Sequence, residues 1–160
     1  MNPTFGNVEP LGPWTGHIQA MDQALAEGDP GDSIRAWRQA YSTALGHPGW
    51  LGLLVVATAS LRLAAFPSLA RSAQERAREG YWLVFFRARQ QRSLDGVLHA
   101  ADAFAELGDL TTAEQCLRVA DALTTTRCGD SSDAERVALS AARVKERSRE
   151  EERASRGLVF

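Results

Sequence analysis

Residues 100–120 read "AADAFAELGDLTTAEQCLRVA", and residues 20–40 read "AMDQALAEGDPGDSIRAWRQA". Displaced by 80 positions, the two stretches align without a gap. Ala20 falls on Ala100, Asp22 on Asp102, Gly28-Asp29 on Gly108-Asp109 and Ala40 on Ala120. Trp37 meets Leu117, so a large apolar residue occupies that position in both copies. Apolar residues recur at helical spacing on either side of the Gly-Asp pair, which reads as helix, tight turn, helix in each copy.

The second copy resembles the tetratricopeptide repeat. Val97, Ala100-Ala101, Phe104, Ala113, Leu117 and Ala120 stand at that family's spacing of large and small residues. Small residues let the two helices of a hairpin approach, and large ones fill the space beside them. The first copy follows the pattern more loosely through His17, Ala20, Ala24, Ser33, Trp37 and Ala40, and a middle hairpin follows it through Ala57, Leu61, Ala70 and Ala77. The family's proline near the end of the second helix is missing from both better copies, and their spacing exceeds the usual ~34-residue period. The resemblance implies an all-α fold of antiparallel helical hairpins stacked as a short solenoid, with a charged C-terminal helix. Three regions follow: a flexible N-terminal segment at 1–13, the helical-repeat domain at 14–128, and a capping helix with charged tail at 129–160. An irregular helical bundle is the competing architecture.

The punctuation agrees with helices throughout. Gly/Pro-rich points stand at the opening segment, "EGDPGDS" (27–33), "GHPG" (46–49) and "RCGDSSD" (127–133), and no segment alternates with period two between hairpin turns. The first helix is expected from about Thr15 to Glu27, ended by Gly28. The second is expected after an N-cap at Asp32, and the third over roughly 50–65, stopping before Pro67. Ser68 is the expected cap of a fourth helix reaching Gln91, and Ser93 of a fifth ending at Gly108. Thr111 or Thr112 opens the sixth, which fades at Thr124–Thr126. The last begins near Ser131 or Ser132 with a stripe of Ala134, Val137, Ala138, Ala141 and Val144, beyond which "KERSREEERASR" offers no apolar face.

With 160 residues, 44% apolar and 24% charged, the chain has the size and balance of one ordinary soluble domain. Its net charge of −2 is unevenly spread: −3 over 1–61, +5 over 62–92, −7 over 93–135 and +3 over 136–160. Alternation of this kind marks complementary faces within a fold or between copies. All basic residues but Lys145 are arginine, a bias of GC-rich bacterial coding sequence. Cys116 and Cys128 form no disulfide framework and no metal spacing, which fits a reduced cytoplasmic location. "MNPTFGNVEPLGPW" has no signal-peptide character, and "HPGWLGLLVVATASL" is shorter than the ~18–20 apolar residues of a spanning helix. No membrane span is expected.

Residues 80–92, "GYWLVFFRARQQR", close the fourth helix. Its apolar stripe is Leu69, Ala70, Ala73, Ala77, Val84 and Ala88, with Tyr81 and Phe85 at the edge. Trp82 and Phe86 fall on another face, in line with Glu75 and Glu79. A helix apolar on every side is usually buried on every side, so Trp82 and Phe86 are expected to pack against a neighbouring helix. The functional alternative is a partner-binding patch of Glu75, Glu79, Trp82 and Phe86, rimmed by Arg71 and Arg89, that takes a partner helix or a second copy. The apolar terminus Leu158, Val159 and Phe160 is a further candidate contact, set against a frayed end.

No catalytic, cofactor or metal constellation emerges. His17, His47 and His99 lack ligand spacing and read as surface or helix-end residues, no phosphate loop exists, and Glu150–Glu152 belong to a solvated charge run. Arginines of 62–92 give a nucleic-acid alternative through phosphate contacts, but they point in several directions, and pairing with the acidic 93–135 region explains them more simply. The lysine- and asparagine-lined carboxylate clamp of some tetratricopeptide proteins is not carried over, because the chain has one Lys and two Asn, both Asn within its first seven residues. The sequence thus points to a non-enzymatic protein-interaction module, an adaptor or accessory subunit of a larger complex, with no cofactor.

Overall fold

The computed structural model describes residues 10–126 and 130–157, and every regular element among them is helical. In chain order these are α1 (Thr15–Ala26), α2 (Pro30–Gly46), α3 (Leu51–Ser60), 3-10 turns at Leu61–Ala65 and Pro67–Leu69, α4 (Ala70–Gln90), α5 (Leu94–Glu106), α6 (Leu110–Thr126) and α7 (Ser131–Gly157). They form two compact units, one up to Val84 and one from Phe85 onward.

In the first unit α1 packs on α2 and α2 on α3. α1 buries Ile18, Met21 and Ala24, and Trp14 is buried at its N-cap. Its covered face is therefore turned by about one residue from the expected His17 and Ala20, which are half-buried and exposed. The physical reason is size: Ile18 and Met21 remove more apolar surface than a histidine and an alanine. Trp37 is buried in α2 and donates its indole N–H to the Val56 carbonyl of α3 at 2.9 Å, so the ring is packed without an unmet donor. α3 meets α4 at closest range where Ala57 faces Gly80, and the Ser60 hydroxyl bonds the Ala57 carbonyl and reaches that of Ala73. Trp14 lies over Gly12 and Gly52, and a Cβ on either glycine would overlap its ring.

The second unit holds α5 and α6 as a hairpin, with α7 against both. Val97, Ala100, Ala101, Phe104, Ala113, Cys116 and Ala120 are buried there, while Leu117 is half-covered. α7 contributes a narrow seam, Val137, Ser140 and Val144. Ala134 and Ala138 of the expected stripe are exposed, because spacings of three and four residues keep only one row facing α5 and α6.

The two Gly-Asp turns are built alike, bond for bond. Gly28 (φ 76) and Gly108 (φ 80) take the left-handed conformation that glycine adopts without strain. The amides of Asp29 and Asp109 return to the carbonyls of Ala24 and Phe104, both at 2.9 Å. The same aspartates then cap the next helix, accepting from the amides of Asp32 and Thr112. These caps correct two expected starts: α2 opens at Pro30 behind Asp29 rather than after Asp32, and α6 at Leu110 behind Asp109 rather than at Thr111 or Thr112. Ser93 caps α5 as expected, and the residue before it, Arg92, takes the left-handed role without being glycine (φ 52). Ser68 lies inside the second 3-10 turn, just ahead of α4.

Candidate functional site

The 21 residues of α4 carry Arg71, Glu75, Glu79 and Trp82 in the first unit and Phe86 and Arg89 in the second. Arg71, Glu75, Glu79 and Arg89 are exposed, and Arg71 pairs with Glu75 at 3.4 Å across one turn. Tyr81, Val84, Phe85 and Ala88 are buried, as the stripe requires. Phe86 is not: it stays 53% exposed, beside Phe85 at a ring separation of 5.6 Å, and Trp82 is half-buried. The expectation that both rings pack against a neighbouring helix is thereby corrected for Phe86, which keeps about half its surface open. The helix satisfies its core with the face through Val84 and Ala88, and Phe86 falls outside that arc. Leu158, Val159 and Phe160 lie outside the described residues, as does Cys128.

Two arginines of the 62–92 stretch find partners within the first unit. Arg62 forks onto Asp22 at 2.8 and 3.1 Å, and the Arg76 guanidinium sits 5.6 Å over the Trp37 ring. The acids of α5 are met by α7: Asp95 by Arg136, and Asp102 by Arg143 at 2.8 Å and by the Ser140 hydroxyl at 2.8 Å. Both ionic pairs are separated by 41 residues, and Glu106 feels Arg147 at the same separation. α7 therefore lies parallel to α5 in a fixed register. Asp95, Asp102, Glu106 and Arg136, Arg143, Arg147 repeat the same seven-then-four spacing, a sequence signal that the reading by composition passed over. Asp22 and Asp102, equivalent in the repeat, each bind an arginine from a later element.

The chemistry of single groups is quiet. Burial pushes the Cys116 thiol up to about 12, with Asp109 adding to the shift, so it is neither a ready nucleophile nor a ligand. Burial lowers His99, the Asp102 carboxylate opposes that, and Arg143 reinforces it. His99 is half-buried in the middle of α5, not a surface or helix-end residue. Burial raises the Glu106 carboxyl against the pull of Arg147. Among the described residues no group of three or more His, Cys, Asp or Glu gathers to hold a metal, and no helix is long and apolar enough to cross a membrane. An open cleft of about 320 Å³ between the start of α5 and α7 is lined by Arg92, Asp95, Asp133 and Arg136, and Arg136 engages both aspartates.

No protein-family model matches the chain, and no curated protein or solved structure matches it at a significant level.

Proposed function

We propose that the chain is a non-enzymatic protein-interaction module, an adaptor or accessory subunit of a larger cytoplasmic complex, built on tetratricopeptide-like hairpins. The observation that carries this reading is the 53% exposure of Phe86 on the α4 face shared with Glu75, Glu79 and Trp82. Burying a whole ring is worth ~1.5–3 kcal/mol, and a partner helix laid along α4 would recover the part that is still exposed. Aromatic anchors inside a charged rim, here Arg71 and Arg89, are the usual makeup of protein-binding hot spots. The matched Gly-Asp turns and the buried small residues Ala100, Ala101, Ala113 and Ala120 support the repeat architecture. Engagement of Arg62 by Asp22 and of Arg76 by Trp37 weighs against a phosphate-binding role for the 62–92 segment.

The test is retrieval of the tagged chain from its native host with low- and high-salt washes, using the wild type and Phe86→Asp. A discrete protein set that survives high salt and is lost with Phe86→Asp, at unchanged thermal midpoint, is the expected result. Nucleic acid recovered only at low salt, with no protein partner, would overturn the proposal.

A further inference from the structure

The 80-residue repeat allows one surface to be compared in two places. In the second hairpin Ala100, Ala103, Thr112 and Cys116 are buried. Their counterparts in the first are Ala20, Gln23, Asp32 and Ala36, of which Ala20, Gln23 and Asp32 are exposed. There α1 and α2 leave a groove of about 280 Å³, with Ala20, Ala24 and Ala36 as its floor and Glu27, Asp32 and Arg35 on its rim. The same helix pair, closed by the same turn, is thus covered in one copy and open in the other.

α7 carries a complementary surface. Opposite its seam of Val137, Ser140 and Val144, Leu139 is 62% exposed, and Ala138 and Ala142 beside it are exposed too. A leucine flanked by alanines can enter a groove floored by alanine, because small residues on both helices permit close approach. Charge is matched locally rather than overall, since Arg136, Arg143 and Arg147 already face the acids of α5. Arg149 and Glu135 lie on the same outer side of α7 as Leu139, and on docking the exposed pairs Arg149–Glu146 and Arg35–Asp32 would exchange, Arg149 for the Glu27 and Asp32 rim and Arg35 for Glu135.

We propose that α7 of one copy seats Leu139 in the α1–α2 groove of a second copy, so that chains associate head to tail. Such an interface is heterologous, joining two different surfaces of the chain. It uses no residue of the α4 patch, so self-association and partner binding fail independently.

Sedimentation velocity over increasing concentration tests the proposal with three proteins: the wild type, Leu139→Glu and Ala20→Arg. Both altered side chains point to water, and circular dichroism melts check that each variant stays folded. The wild type is expected to sediment faster as concentration rises, and more weakly so in high salt, whereas each variant alone stays monomeric. Mixed, the two variants retain one intact groove and one intact α7, so they form a dimer and nothing larger. A wild type that remains monomeric throughout, variants that still assemble alone, or a mixture that stays monomeric would each overturn the proposal.

Discussion

Replacing Gly80 by alanine sets two effects of known size against each other. An ideal Cβ on Gly80 would stand 2.4 Å from the Cβ of Ala57 and 3.3 Å from its Cα. Non-bonded carbons prefer about 3.5–4.0 Å, so α3 and α4 must part by roughly 1 Å, and alanine has no rotamer to turn aside. Separation also stretches the Ser60 bond to the Ala73 carbonyl and the Thr58–Tyr81 hydroxyl contact, at 3.3 and 3.2 Å. Overpacking of this kind costs ~1–3 kcal/mol, and the helix preference of alanine over glycine returns about 1. Gly80→Ala is therefore expected to destabilise by up to about 2 kcal/mol. Ala57→Gly alone should cost about 2 kcal/mol, from one buried methyl and one helix propensity. The double variant moves the methyl from one helix to the other and should lie within about 1 kcal/mol of wild type, far from the additive sum. Urea midpoints followed by circular dichroism measure all four proteins, provided the slopes agree. A Gly80→Ala protein more stable than the wild type by the full helix preference of about 1 kcal/mol, or a double variant that is simply additive, would refute the close approach.

Arg92 holds a left-handed conformation at φ 52, so Arg92→Gly is expected to raise stability by about 1 kcal/mol, whereas Gly28→Ala, at φ 76 in open space, should lower it by a similar amount; thermal melts compare them. In a Cys128→Ser background, Cys116 should resist iodoacetamide at mildly alkaline pH and react fully once urea unfolds the chain, as its thiol titrates only at about 12. His99 titrates below 6.5 in the folded protein because it is buried, despite Asp102, so the unfolded chain takes the proton first. Its contribution to stability is present above 6.5 and is lost as the pH falls below that value. His99→Gln should then narrow the gap between urea midpoints at about pH 7.5 and about pH 5.5, and an unchanged gap would count against burial as the cause.

What the sequence disclosed was local. Helical spacing and the Gly-Asp pairs mark α1, α2, α5 and α6, because a 3.6-residue period and a left-handed glycine are properties of a few consecutive residues. The caps were harder, since Asp29, Asp32 and Ser33 are all chemically able to cap, and the position of Pro30 decided among them. The turn at Arg92 carries no glycine and is visible only through Ser93. The α4 face was legible from the wheel, yet the exposure of Phe86 was not, because burial depends on which distant segment arrives. The register of α5 and α7 rests on pairs 41 residues apart, beyond any local window, although the matched spacing of acids and arginines was there to be read. For the open groove, the repeat itself supplied the comparison, but only coordinates could say which copy was covered.

α3 also has a temporal side. Of its ten residues only Thr58 is exposed, while Leu53, Val56 and Ala57 are fully buried, Val56 against Trp37 of α2 and Ala57 against Gly80 of α4. During synthesis α3 leaves the ribosome before α4 exists, when α2 can shield one flank and the other still faces water. Until the chain has grown past Tyr81, this stretch is the most adhesive surface the nascent protein owns, a natural target for chaperones and for aggregation. A pause in translation between Ser60 and Tyr81 would prolong that interval, and a protein shortened within it would display the helix permanently.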